Sequence, residues 1–164
     1  MKLVAISCFI ILCISNSCFG EVYSQEVAQT KIEPILVKLK AGVKDKKVSI
    51  FDEIISFPLN VSSSERYVSK DGYMRVKTKK IQNPKELQKQ FDTVFVPSLI
   101  RLINCINADN MEYNPYKGFS AAYGSIWFLD IRDKVTGTRR FALTSLSTNE
   151  KAINKWLSLE CKNT

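Results

Sequence analysis

The 164-residue chain contains no histidine. That removes the commonest general base, metal ligand and member of a nucleophilic triad. Ser120 and Ser125 lack a plausible base, no cysteine pair has zinc-site spacing, and no glycine-rich run is shaped to cradle a phosphate. Asp130 is the formal candidate for acid–base work, because a lone carboxylate can act as a base when burial raises its pKa. Set at a strand end beside Arg132 and Asp133, it reads instead as a solvated turn residue. The expectation is therefore no catalytic residue, no metal ligand and no cofactor.

Binding chemistry is better represented. Arg75, Lys77 and Lys79 recur at every second position, which in a strand aims all three cations to one side. They form either the Lys-rich solvent face of a half-buried strand, which also discourages edge aggregation, or a docking strip for an acidic partner. Tyr113, Tyr116, Phe119, Tyr123, Trp127 and Phe128 fall within sixteen residues. Such a cluster is either plain core or an apolar surface with hydroxyl handles. Arg75, Lys77, Lys79, Tyr113, Tyr123 and Phe128 are accordingly the candidate residues for ligand or partner binding.

The start of the chain bounds the compartment. Lys2, an apolar run over residues 3–14 and a small-residue exit at Ser15-Asn16-Ser17-Cys18-Phe19-Gly20 have the pattern of an export signal. The run is too short to span a bilayer comfortably. Cleavage after Gly20 is expected, leaving one domain over residues 21–164 with no transmembrane segment. Processing as a lipoprotein at Cys18 is the competing reading, although Ser15 stands where such signals usually carry Leu. The protein is expected in the periplasm or secreted. Of five cysteines, Cys105 and Cys161 remain after cleavage; in an oxidising compartment they are either a disulfide or two packed thiols. Loss of Lys2 lowers the net charge of +8 to +7. An acidic envelope protein or an apolar small molecule fits that profile, and nucleic acid does not.

The elements that must position these residues follow from periodicity. Ile32, Ile35, Leu36, Leu39 and Val43 step at helical spacing, with Thr30 and Glu33 as a capping box and Pro34 in the first turn. Ser49 opens a short second helix, which Phe57-Pro58 should stop. A short edge strand at Leu59-Asn60-Val61 and a flexible loop at Ser62-Ser63-Ser64 follow. Residues 73–79 alternate as a strand. Asn83-Pro84-Lys85-Glu86 caps the longest helix, predicted over residues 83–107 and kinked at Pro97. In the run from Ile126 to Ile131, Trp127, Leu129 and Ile131 share a wholly apolar face and are expected in the core. A hairpin partner over residues 139–146 and a last short helix capped by Asn149 complete the chain.

This order of elements resembles the nuclear transport factor 2-like, or cystatin-like, α+β cone, and more narrowly small exported bacterial proteins of that superfamily. The resemblance rests on Phe57-Pro58-Leu59, on the capped helix with its aromatic stripe from Asn83 to Phe95, and on Gly118, Gly124, Ile126 and Trp127. It implies helices packed on a curved antiparallel sheet around a cavity. Catalytic members of the superfamily use Asp with His or Tyr there, so the missing histidine carries no catalytic residue across. The favoured expectation is an exported, non-enzymatic binding protein of the bacterial envelope, with an inhibitor or immunity-type role as one form. The alternative is a small isomerase- or dehydratase-like enzyme using a cavity carboxylate.

Overall fold

The structure is a computed structural model describing residues 23–132 and 137–161. The expected leader, residues 1–20, and residues 133–136 lie outside them. Twenty residues, Gln25–Lys44, form the first helix, α1. Ser24 caps it, its hydroxyl accepting from the Val27 amide at 3.4 Å. The helix thus begins well before the Thr30 start predicted from the sequence, and Pro34 lies in its interior. Pro34 is exposed, so the carbonyl it leaves without a donor can reach water. Ala28, Ile32, Leu36, Leu39 and Val43 form the buried stripe.

A 3-10 helix, Val48–Glu53, then places Phe51 against Phe91 and Phe95, with ring centroids 6.3 and 5.4 Å away. The predicted long helix is three short ones: α2 (Pro84–Lys89), α3 (Phe91–Val94) and α4 (Pro97–Cys105). Pro97 starts a new helix rather than kinking an old one, because the preceding residues are driven out of the helical region. Asn83 caps α2 through the Glu86 amide at 3.0 Å, while the Glu86 carboxylate accepts from the Gln82 amide at 2.8 Å.

Strands β1 (Ile55–Val68), β2 (Met74–Ile81), β3 (Glu112–Asn114), β4 (Gly118–Ala121), β5 (Ile126–Arg132) and β6 (Arg139–Ser147) form one open mixed sheet. Its order is β2-β1-β6-β5-β4-β3, with β1 and β6 parallel and every other pair antiparallel. The fold is α+β, as expected, but the sheet is mixed where an antiparallel one was expected, because β6 returns beside β1 in the same direction. Gly118 is obligatory by two criteria: its φ is +88°, and a Cβ there would stand 2.1 Å from the Phe128 carbonyl oxygen.

Strand β5 faces opposite to expectation. Ile126 and Phe128 are wholly buried, whereas Leu129 is exposed and Trp127 and Ile131 are only half-buried. Phe119 and Phe141 pack edge to face beneath the sheet at 5.2 Å, among the buried residues that also include Phe128, Leu143 and the α1 stripe. Asn149 caps the last helix, α5 (Glu150–Glu160), which buries Ile153 and Trp156. Cys105 at the end of α4 and Cys161 after α5 form a disulfide, with Cα atoms 6.1 Å apart.

Candidate functional site

The outer part of β1 and nearly all of β2 form a two-stranded arm. Pairing runs from Leu59 opposite Ile81 to Val68 opposite Met74, with an irregularity between Ser62 and Arg66 where β1 carries extra residues. The triple serine therefore lies within a strand rather than in the predicted flexible loop. Ser62 is held in register with Thr78 on β2 and Ser147 on β6, and Ser63 and Ser64 continue the strand through the irregularity. Both strands are exposed on both faces beyond the root: residues 64–68 of β1 and 74–80 of β2 are all open to solvent. Met74, Val76 and Thr78, which alternate with the three cations, are exposed as well, so the half-buried strand does not occur. Its alternation is intact, but beyond the root, where α2 and α3 flank Lys79 and Ile81, no helix buries either side.

At the tip, Ser69 accepts a backbone bond from Gly72 and donates one to the Tyr73 carbonyl, both at 2.9 Å; Gly72 has φ +82°. Ser69 and Arg75 both donate side-chain bonds to the Asp71 carboxylate. The Ser69 hydroxyl is the main cause of a pKa below the ordinary carboxylate value. Tyr67, Val68, Tyr73 and Met74 surround this turn with 51% to 70% of their surface exposed. Sequence reasoning missed these four. The available signal was Asp71-Gly72 with β-forming residues on both sides, which is a hairpin pattern.

The three strip cations share one face of β2 and each meets a partner. Arg75 pairs with Asp71, Lys77 with Glu65 at 3.0 Å, and Lys79 donates to the Gln90 side-chain oxygen at 2.5 Å. Only the last lacks a compensating carboxylate among these contacts. Between this face and α2–α3 runs a groove of about 180 Å³, lined by Val61, Ile81, Val94, Lys77, Lys79 and Gln90 among others.

The aromatic candidates separate. Phe128 is in the core and cannot meet a partner. Tyr113 is half-buried, packed 4.8 Å from Phe119, with its hydroxyl donating to the Tyr23 carbonyl at 3.0 Å. Tyr123 is exposed, has φ +54° and receives the Lys155 ammonium 5.7 Å over its ring. Together with Arg66 and Val76, it lines a hollow at the root of the arm, on the face away from Lys77 and Lys79. Thus Arg75, Lys77 and Lys79 come together, Tyr123 joins the opposite side of the same arm, and Tyr113 and Phe128 belong to the body.

Asp130 is not the solvated turn residue expected. Its side chain is 11% exposed and receives two bonds from the Arg139 guanidinium across the hairpin, from Nε at 3.3 Å and Nη2 at 2.5 Å. Burial, followed by the Asp130 charge, raises the Tyr113 pKa above the ordinary phenol value, against a lowering from Arg139. The Tyr113 hydroxyl is spent on a backbone carbonyl and the carboxylate on a guanidinium. Neither groove of the arm reaches the pair. Ser120 and Ser125 are buried.

Among the described residues, no cluster of three or more His, Cys, Asp or Glu could hold a metal ion, and no helix is long and apolar enough to cross a membrane. No protein-family model matches the chain, and no curated protein sequence or solved structure matches it either.

Proposed function

We propose that the chain is an exported, non-enzymatic binding protein of the bacterial envelope that engages an acidic partner protein through the β1–β2 arm. Inhibition of, or immunity to, an envelope-targeting enzyme is one concrete form. The observation that carries the reading is the arm itself, a ribbon whose outer part is packed on neither face and exposes Tyr67, Val68, Tyr73 and Met74. Residues 64–80 hold six basic side chains against two acidic ones. Charge of one sign steers an acidic partner, and exposed tyrosines supply the anchors that charge lacks. Export is supported by the signal pattern of residues 1–20. The helix, hairpin, helix and meander order is compatible with a nuclear transport factor 2-like cone, with the arm as a long first hairpin.

An apolar small molecule is the second ligand class, for which Val61, Ile81 and Val94 in the groove beside α3 provide a floor. The cavity-enzyme reading draws on Asp130 and Tyr113. It is disfavoured because both polar groups are already engaged.

Recovery of partners from envelope extract by the wild type and by the Arg75→Ser/Lys77→Ser/Lys79→Ser variant, at low and high salt, tests the proposal. The expected result is a partner lost by the variant at low salt and weakened for the wild type by added salt. Equal recovery by both proteins at low salt would leave the three cations as a solubilising edge.

A further inference from the structure

The arm ends the sheet, and how it ends it defines a binding mode. Strand β2 is the terminal strand, paired on one side to β1. An edge strand presents a row of main-chain donors and acceptors on its outer side, which natural proteins blunt with proline, bulges, covering helices or charge. Residues 74–80 contain neither proline nor glycine, and all are exposed. The irregularity of the pair falls on β1, not on β2. Outside the Lys79 end, which meets Gln90, charge is the protection used, and charge is selective. A second copy pairing edge to edge would set a strip of Arg75, Lys77 and Lys79 against another of the same sign. A strand bearing carboxylates would meet attraction at the same positions.

Resting on the reading of the arm given above, we infer that the partner contributes an extended acidic segment that adds to the free edge of β2 as a seventh strand. Main-chain hydrogen bonds supply the pairing, and alternate side chains supply the selectivity. Carboxylates at every second position of the segment face Arg75, Lys77 and Lys79. The intervening apolar side chains face Met74 and Val76. The Asp71 and Glu65 carboxylates now beside Arg75 and Lys77 are exposed, so their pairings are weak and readily exchanged for the incoming ones.

The test follows amide hydrogen exchange along β2 in the full protein at low salt. The probes are synthetic peptides of alternating Glu and Val, the same peptide N-methylated at alternate amides, alternating Lys and Val, and phosphatidylglycerol vesicles. The expected result is slowing of alternate β2 amides by about tenfold or more with the Glu–Val peptide. Neither the N-methylated nor the Lys–Val peptide should reproduce it, and the Arg75→Ser/Lys77→Ser/Lys79→Ser variant should lose it. Glu–Val binding by calorimetry with unprotected β2 amides, or equal binding of the N-methylated peptide, overturns strand addition while leaving charge-steered partner binding intact. Protection by Lys–Val alike removes the charge selectivity. Protection by vesicles and not by peptide assigns the edge to a membrane surface. Protection that instead rises with protein concentration alone assigns it to a second copy. Absence of any binding by the acidic peptide overturns the strand mode, and the pull-down then decides separately on the arm.

Discussion

Strands β5 and β2 make an instructive pair. Both alternate side chains of different character, and both pair antiparallel with a neighbour. In β5 the alternation resolves into a buried side, Ile126 and Phe128, and a more open side. In β2 only Ile81, at the root, is buried. Period-two patterning states that a strand has two unlike faces. It does not state that either is covered, because cover comes from elements elsewhere in the chain. The body of the sheet has α1, α4 and the Phe119–Phe141 contact beneath it. Beyond Ser62 the arm meets the body along the two open grooves at its root, and residues 64–68 and 70–80 stay exposed.

The sharpest way to break this contrast is at Phe128. Phe128→Ala should destabilise the fold by roughly 3–5 kcal/mol in chemical denaturation, and Trp127→Ala, half-buried on the other face, by clearly less. The reverse order would mean that the faces of β5 are misassigned. Next comes the Cys105–Cys161 link, which spans 56 residues of sequence and encloses β3 to β6 but not the arm. Replacing both cysteines by Ser should cost about 4 kcal/mol in the chain-entropy model. Amide exchange in the body should then quicken, with that in the arm unchanged. Two free thiols in the oxidised protein would contradict it. The smallest effect belongs to the tip: Tyr67→Ser, Tyr73→Ser and Met74→Ser should each shift stability by less than about 0.5 kcal/mol. A loss above 2 kcal/mol at any of them would mean that the arm is packed against something.

Particular residues show how much of this was legible. The Asn83 and Asn149 caps and the β5–β6 hairpin follow from local chemistry, and the structure has them; of the two readings left open for Cys105 and Cys161, it has the disulfide. The inward face of β5 was misread because Asp130 looked like a mark of solvent. Its neutralising partner, Arg139, is nine positions away on the next strand, beyond the reach of local pattern. The serine triplet looked like a loop because its strand character comes from pairing. For the candidate site, the basic strip was visible as spacing. The tyrosines of the tip were not, since their exposure depends on what fails to pack over them. Tyr113 and Phe128 were drawn in by aromatic density alone, which does not separate surface from core.

The parallel contact between β1 and β6 also sets an order in time. Asn60 meets the Thr144 carbonyl and Ser62 that of Leu146, each across 84 positions of chain. The middle of the sheet therefore cannot close until almost the whole polypeptide has emerged. The β1–β2 ribbon needs only a tight turn and can pair long before. Until β6 arrives, any β1–β2 hairpin that forms has two free edges, β2 on one side and the side of β1 that awaits β6 on the other. The lysines of β2 guard the first edge throughout. The second is at risk of joining a wrong strand until β6 arrives to occupy it.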